Sequence, residues 1–156
     1  MSRIALRLDE LRIVLTARVA PIANYAACTR LGRMLVVSGQ PPLGADGKIA
    51  RPPIGKLDPD SSLEIARGAA RLCAINVLAQ VKAAIGDFDS VVQVARLGGF
   101  FNVAARFDFL PQAMNGASDL IADLFGARGR HARTTVGVAH LPFNAMAEIE
   151  ALFEVA

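Results

Sequence analysis

Residues 61–86 constrain the fold of this chain most, because they carry the start, the apolar stripe and the stop of one long helix. Ser61-Ser62-Leu63-Glu64 is a capping box, in which the Ser61 hydroxyl accepts the backbone N–H three residues on and Glu64 reaches back. Gly86 is a typical helix terminator. The apolar residues between them recur at helical spacing: Ala66, Ala70, Cys73, Val77, Val81 and Ala84. The pattern predicts a helix over about 61–85.

The last nine residues before the C-terminal alanine have the alternation of a half-buried strand. Apolar side chains occupy every second position from Ile149 to Val155, and Glu148, Glu150 and Glu154 lie between them. Because successive side chains of a strand point to opposite faces, one face of this strand belongs to the core and the other is polar.

The other predicted elements are less regular. We predict strands at residues 34–37, 91–102 and 134–140, the last joined to the strand at 147–155 by a turn around residues 141–144. A second main helix over about 112–125 follows Pro111 and ends at Gly126. A short amphipathic helix over about 2–17 precedes them, and residues 17–29 are expected to be irregular. Residues 41–60, with five of the eight prolines, form one long loop with a brief strand around residues 48–51.

This order of elements predicts the α/β (α+β) class, with a mixed sheet and its two main helices packed on one face. A chain of 156 residues, 53% of them hydrophobic, suits a single domain over 1–156. Helices on one side leave the other sheet face to solvent or to another subunit. We therefore predict that the protein oligomerises through that face.

Composition and missing motifs exclude several functions. No secretory leader or membrane-spanning segment is expected, so we predict a cytoplasmic protein. A net charge of +3 with scattered arginines does not favour a nucleic-acid partner. Neither Gly-rich phosphate-loop pattern occurs, and with two histidines and no H-E-x-x-H we expect no metal and no cofactor.

The remaining candidates for chemistry are charged residues on the two C-terminal strands. Arg133 lies near the start of one strand, and Glu148 and Glu150 lie near the start of the next. They could be solvated or pair with one another. Alternatively, the Arg133 fork could bind a carboxylate through two parallel hydrogen bonds while Glu148 orients a water or moves a proton. The residues alone do not decide between these two interpretations.

Several of these residues also form motifs that resemble the RidA/YjgF family, also called the liver perchloric-acid-soluble protein family. The similarity extends from about Tyr25 to the C-terminus. Its motifs, in order, are Leu31-Gly32-Arg33-Met34, Ser38-Gly39-Gln40, Ala132-Arg133-Thr134-Thr135-Val136-Gly137-Val138, Leu141-Pro142 and Glu148-Ile149-Glu150-Ala151. Together and in this order they are specific, although any one alone would be weak.

The resemblance implies a chorismate-mutase-like fold assembled as a homotrimer, with ligand clefts between neighbouring subunits. It also implies hydrolysis of reactive 2-imino or enamine acids to 2-keto acids and ammonia, without metal or cofactor. Arg133 would hold the substrate carboxylate near the Gly39 backbone, and Glu148 would position the attacking water. Tyr25 would line the cleft from the neighbouring subunit, and Asn115 lies near the family's helix asparagine.

One departure from the family pattern bears on the reaction. Thr135 stands where many deaminases of the family have a cysteine, so it can form hydrogen bonds but offers no thiol. Two other functions therefore stay open beside imine hydrolysis. One is a non-catalytic binder or sensor of small carboxylate metabolites. The other, more distant, is an endoribonuclease or translation inhibitor that uses Arg128, Arg130 and His131.

Overall fold

The computed structural model describes residues 3–16 and 19–156. Three helices and five strands are formed within these ranges. In chain order they are α1 (Arg3–Glu10), β1 (Cys28–Leu31), β2 (Met34–Gln40), α2 (Leu63–Ile85), β3 (Val91–Asn102), α3 (Leu110–Phe125), β4 (Ala132–Val138) and β5 (Ala147–Val155). Single 3-10 turns lie at Phe88–Ser90, Gly126–Gly129 and Pro142–Asn144.

The five strands form one mixed sheet in the order β1-β2-β5-β3-β4. The pairs β1/β2, β2/β5 and β5/β3 are antiparallel, and β3 and β4 are parallel with α3 as their connection. The predicted mixed sheet is therefore confirmed. The two C-terminal strands β4 and β5, although joined by a turn, do not pair with each other, because β3 lies between them. The run from Leu97 to Asn102 is almost entirely buried, which suits β3 to a central position.

The helices cover one face of this sheet, as predicted. The buried side chains of β5 (Ala147, Ile149, Ala151, Phe153 and Val155) belong to the same core cluster as the buried faces of α2 and α3. Phe125 at the end of α3 meets Phe153 edge to face with ring centroids 6.4 Å apart. The predicted alternation along β5 is confirmed residue by residue. The free face of the sheet is thus rich in glutamate.

Helix α2 begins one residue later than its capping box predicts. The N-cap is Ser62, whose Oγ accepts the N–H of Ile65 at 3.3 Å. The Ser61 hydroxyl instead donates to the Asp58 carboxylate at 2.9 Å, which closes the preceding turn. The predicted stop is confirmed, since the helix ends at Ile85 and Gly86 has φ 75°. By length and composition α2 could cross a membrane, but over half of its apolar window is buried, as in a core helix.

The N-terminal helix is shorter than the predicted span of 2–17, whose two end residues lie outside the described ranges. It ends at Glu10, because Arg12 adopts φ 52° and the next N–H, of Ile13, bonds back to the Leu8 carbonyl at 2.9 Å. This is the Schellman arrangement, in which Ile13 and Leu8 are both buried in the core. The cap therefore ends the helix earlier than apolar periodicity predicts.

Two further segments differ from the sequence-based expectation. Residues 28–31 form β1 although irregular structure is predicted over 17–29, because a tight turn at Gly32 pairs Leu31 with Met34. The segment 41–60 is a long loop, as predicted, but the brief strand expected at 48–51 is reduced to an isolated bridge between Leu43 and Ile49. Several residues of the segment 41–51 instead line a pocket at the end of β2.

The close approach of α2 and α3 depends on Gly116, where a Cβ would overlap the carbonyl oxygen of Arg67 on α2. We expect Gly116→Ala to lower the free energy of unfolding by about 1–3 kcal/mol, because backbone cannot move aside as a flexible side chain can. Gly68→Ala is the matched control. It has open space around its Cα and lies in α2, so it should gain about 0.5–1 kcal/mol in helix propensity. Urea denaturation measures both, and equal effects would contradict the packing argument.

Candidate functional site

Arg133 lies on the edge strand β4 and is held by three hydrogen bonds to α3. Nη1 donates to Asn115 Oδ1 at 2.8 Å and to Ser118 Oγ at 3.1 Å, and Nη2 donates to the Pro111 carbonyl at 3.1 Å. The guanidinium has five N–H donors. Within residues 3–16 and 19–156, Nε and the second Nη2 hydrogen have no protein acceptor. Two donors of a fixed, solvent-exposed guanidinium therefore remain for a ligand.

Ser118 is in turn bonded to His131, which lies two residues before Arg133. The His131 Nε2 and Ser118 Oγ are 3.0 Å apart, and His131 Nδ1 lies 2.6 Å from the Gly129 carbonyl oxygen. Burial lowers the pKa of His131, and the positive charge of Arg133 lowers it further, against the opposing effect of the Gly129 carbonyl. The imidazole is therefore neutral at physiological pH.

Thr135 lies two residues after Arg133 on the same side of β4. Its Oγ1 is buried and has no hydrogen-bond partner in the described part of the chain. A buried hydroxyl without a partner costs free energy. Asn115, Arg133 and Thr135 thus form one polar cluster, which we call the arginine cluster.

Glu148 and Gly39 form a second group of candidate residues on neighbouring strands. Gly39 lies near the end of β2, where the register with β5 shifts, and a Cβ at this position would overlap the Glu148 carboxylate. Only glycine therefore lets this carboxylate lie against β2. The requirement for glycine here is steric, since φ at Gly39 is not in the left-handed region.

The Glu148 carboxyl group is half-buried, and burial raises its pKa. The negative charge of Glu150 raises it further. Glu150 itself pairs with Arg96 at 2.9 Å. The guanidinium of Arg133 bonds to residues of α3 instead, so within the described residues neither glutamate pairs with it. A carboxyl group whose pKa moves toward neutrality can both accept and return a proton.

Within one chain the arginine cluster and Glu148 lie on opposite faces of the sheet. In the register of the strands, Arg133 is level with Leu97 and the buried Ala151 of the helix-covered face. Glu148 is level with Phe100 and Val136 of the free face. Arg133 and Glu148, predicted on the two C-terminal strands, are therefore separated by β3. One chain alone does not bring them together.

Tyr25 and Gly39 lie on a pocket of about 690 Å³ at the end of β2. Tyr25 is half-exposed and lies in the segment before β1. The floor contains Gln40 and Gln80, whose side chains bond to each other at 3.3 Å. The apolar part of the wall combines loop, turn and N-terminal residues: Val19, Ala20, Pro21, Ile22, Leu43, Ile49, Ala50 and Phe143.

The side chains that could bind a metal ion are dispersed. Among the described residues no three histidine, cysteine, aspartate or glutamate side chains are grouped closely enough to hold one. The arginine cluster offers donors for an anion, and Glu148 offers an acceptor for water or an ammonium-like group.

Three groups near these sites were not found by sequence reasoning. Ser118 lies one helical turn after Asn115, and that spacing could have marked it as a second partner of Arg133. The Pro111 carbonyl is a backbone group and carries no sequence signal. Phe143 enters the pocket wall because the turn Pro142–Asn144 places it at φ 58°.

Comparison with known proteins gives the class to which this fold and these residues belong. Residues 6–155 match the family model described as "YjgF/chorismate mutase-like, putative endoribonuclease". The chain belongs to this family, also known as the Rid family, and its sheet and helices have the chorismate-mutase-like fold.

The individual relatives are similar over nearly the whole chain. Protein TCP17 of Trypanosoma cruzi is 43% identical, covering 98% of this chain and 94% of that protein. The crystal structure of Atu1372 from Agrobacterium tumefaciens, a protein of unknown function, is 45% identical with a TM-score of 0.87, covering 98% and 93% of the two chains. A "putative endoribonuclease" from Shewanella oneidensis is 31% identical with a TM-score of 0.92, covering 99% and 100%.

The raised pKa of Glu148 predicts a pH-dependent effect of Glu148→Gln on stability. A carboxyl group whose pKa is higher in the folded than in the unfolded state destabilises the fold when ionised, and this cost is fully present above the folded pKa. We expect the variant to have a higher melting temperature than wild type at pH 8, with the difference vanishing below about pH 4.

The control is Glu154→Gln on the same strand and face. Its carboxylate lies 3.1 Å from Arg33, so removing the charge should leave the melting temperature at pH 8 unchanged or lower it. Thermal unfolding of the three proteins between pH 3.5 and 8 makes the comparison. A constant offset of Glu148→Gln at every pH would contradict the assigned burial effect.

Proposed function

We propose that this protein hydrolyses 2-imino acids, and the enamine acids that tautomerise to them, to 2-keto acids and ammonia. In the proposed step a water oxygen bonds to C2 of the iminium while Glu148 takes one water proton, and the same carboxyl group gives this proton to the nitrogen. As the C2–N bond breaks, Glu148 takes the remaining hydroxyl proton, which leaves the 2-keto acid, and passes it to the released ammonia to give NH4+. The balance is R–C(=NH2+)–COO− plus H2O giving R–CO–COO− plus NH4+, so no redox partner is required.

The observation that carries this proposal is the fixed Arg133 guanidinium, which keeps two donors for a carboxylate. A planar guanidinium held from behind by α3 binds a planar carboxylate with little loss of side-chain freedom. Thr135 lies two residues further along β4 on the same side, and its Oγ1 lacks a protein partner in the described ranges. Asn115 would hold the Arg133 guanidinium in position and would offer the substrate a second polar contact.

The proposal requires two copies of the chain at each site. Arg133 and Glu148 lie on opposite faces of the sheet, so a second subunit must bring its Glu148, Gly39 and Tyr25 to the arginine cluster of the first. A homotrimer with three such clefts would satisfy this requirement. Exposed Val36 and Val136 on the free sheet face support its burial against a neighbour. Analytical ultracentrifugation tests this assembly directly.

The pocket beside Gly39 is proposed to receive the substrate's side chain. Its wall is mainly apolar, and the polar ends of Gln40 and Gln80 in its floor already bond to each other. A volume of about 690 Å³ is within the range of small-molecule sites and leaves room for a side chain much larger than methyl. Imines derived from leucine-like amino acids should therefore be accepted.

Arg133→Ala tests the reaction and the role of Arg133 together. Imine is generated in situ by a dehydratase or an amino acid oxidase, and its hydrolysis is followed as ammonia or 2-keto acid released with and without this protein. Hydrogen bonds to charged groups contribute about 1.5–3 kcal/mol each, so we expect kcat/KM to fall at least tenfold. Arg106→Ala is the control, since Arg106 is exposed and pairs with Asp108 two residues away.

Two outcomes of this assay would reject parts of the proposal. Unchanged kinetics in Arg133→Ala would remove Arg133 from the site. No acceleration by the wild type, with calorimetric binding of 2-keto acids retained, would favour a non-catalytic binder of carboxylate metabolites.

The side-chain pocket has its own test. We expect Ala50→Phe to lower the ratio of kcat/KM for the leucine-derived imine to that for the alanine-derived imine at least tenfold, because the ring fills space in the pocket wall. Ala105→Phe, at an exposed position outside the pocket, is the control and should leave the ratio as it is. An unchanged ratio in Ala50→Phe would place the substrate side chain elsewhere.

Ribonuclease activity is the competing proposal, because the Shewanella relative carries that description. The basic residues expected to serve it are already engaged in part. Arg128 donates to the Val91 carbonyl at 2.6 Å, and both ring nitrogens of His131 lie at hydrogen-bond distance from protein oxygens. RNA cleavage abolished by the double variant His131→Ala, Arg133→Ala would nevertheless favour it over imine hydrolysis.

A further inference from the structure

The chain of hydrogen bonds behind Arg133 has a defined direction. A carbonyl oxygen can only accept, so the 2.6 Å contact with Gly129 places the proton of His131 on Nδ1. In the neutral ring Nε2 then has no proton and accepts the Ser118 hydroxyl at 3.0 Å. The Ser118 hydrogen therefore points toward His131. A lone pair of its oxygen is left for Arg133 Nη1 at 3.1 Å.

We propose that His131 and Ser118 are positioning residues for Arg133, acting through a relay from the Gly129 carbonyl to the guanidinium. Because the Ser118 hydroxyl donates to His131, its oxygen accepts the hydrogen bond from Arg133 of β4. This bond keeps Nη1 directed at α3. The Nε and second Nη2 hydrogens then face outward, where a substrate carboxylate would bind. This assignment rests on the proposed function for its ligand, but its geometry rests only on the described residues.

The charged groups around His131 support a neutral ring. Arg133 on β4 is the charge that disfavours imidazolium. On α3, Asp119 pairs with Arg67 of α2 at 3.1 Å, and on the turn that precedes β4, Arg128 donates to the Val91 carbonyl. Arg96 of β3 pairs with Glu150 on the free face. None of these contacts places a carboxylate on His131. A carboxylate bound to Arg133 would offset the guanidinium charge, so binding should raise the pKa of His131.

The relay is tested with variants matched in pairs. Ser118→Ala and His131→Leu remove it, whereas Ser118→Thr keeps a hydroxyl and His131→Gln keeps an acceptor near the Nε2 position. We expect the first pair to raise the Kd for pyruvate, and the KM for imine, about tenfold with kcat within about threefold, as for loss of one bond to a charged group. The second pair should stay within about threefold of wild type. Pyruvate is the probe because it is the simplest 2-keto acid.

A structural readout accompanies the kinetics. The 15N shifts of His131 in wild type should show the Nδ1–H tautomer, and saturating pyruvate should raise the pKa of His131. A purely structural histidine would show no dependence on pyruvate. Either an Nε2–H tautomer or equal Kd values for wild type, Ser118→Ala and His131→Leu would overturn the relay.

The outcomes also separate the relay from the proposed reaction. If the wild type binds pyruvate but does not hydrolyse imine, the proposed reaction is rejected. The Kd values of Ser118→Ala and His131→Leu relative to wild type then still test the relay. Hydrolysis by wild type with unchanged Kd and KM in the relay variants rejects the relay alone. Absence of both binding and hydrolysis rejects both. Circular dichroism and melting curves show whether each variant is folded.

Discussion

The burial of β3 between β5 and β4 decides where the candidate functional side chains, Arg133 and Glu148, lie. Its parallel pairing with β4 places Arg133 at an edge of the sheet, beside α3, and its antiparallel pairing with β5 places Glu148 on the opposite face. Both positions follow from the registers of these two pairings, because side chains that are level on paired strands lie on the same face of the sheet. The separation of the two charged groups is therefore a property of the sheet. A shift of one residue in either pairing would reverse it.

Small residues let charged side chains lie flat on this sheet. Gly39 leaves space for the Glu148 carboxylate, and Gly98 does the same for Glu150, whose Oε1 would be 2.7 Å from a Cβ there. Burial raises the pKa of Glu148, and the second carboxylate on the same strand face, Glu150, raises it further. On the other face, Arg133 lies at a solvent-exposed edge of the sheet, and α3 orients it. A carboxyl group with a raised pKa and a guanidinium with free donors thus lie in different environments of one fold.

Local sequence signals predicted the regular elements well where the signal and the packing agree. The bounds of β3 and β5 and the stops at Gly86 and Gly126 are as predicted, because alternation and glycine terminators act over a few residues. The N-terminal helix was predicted too long, since the turn at Arg12 depends on the cap between Leu8 and Ile13. Strand β1 was not predicted, because most of its side chains are exposed and show no apolar alternation. It forms a strand through its pairing with β2.

The sequence by itself determined the two main helices, the polar and apolar faces of β5, and Arg133, Glu148 and Glu150 as charged candidates for function, because periodicity and side-chain chemistry are local properties. The family motifs added the fold. Only the tertiary structure decided that β3 separates the C-terminal strands, that Ser118 and His131 stand behind Arg133, and that Gly39 adjoins Glu148. These contacts join residues far apart in the chain. Their geometry depends on strand order and register, which no short window of sequence contains.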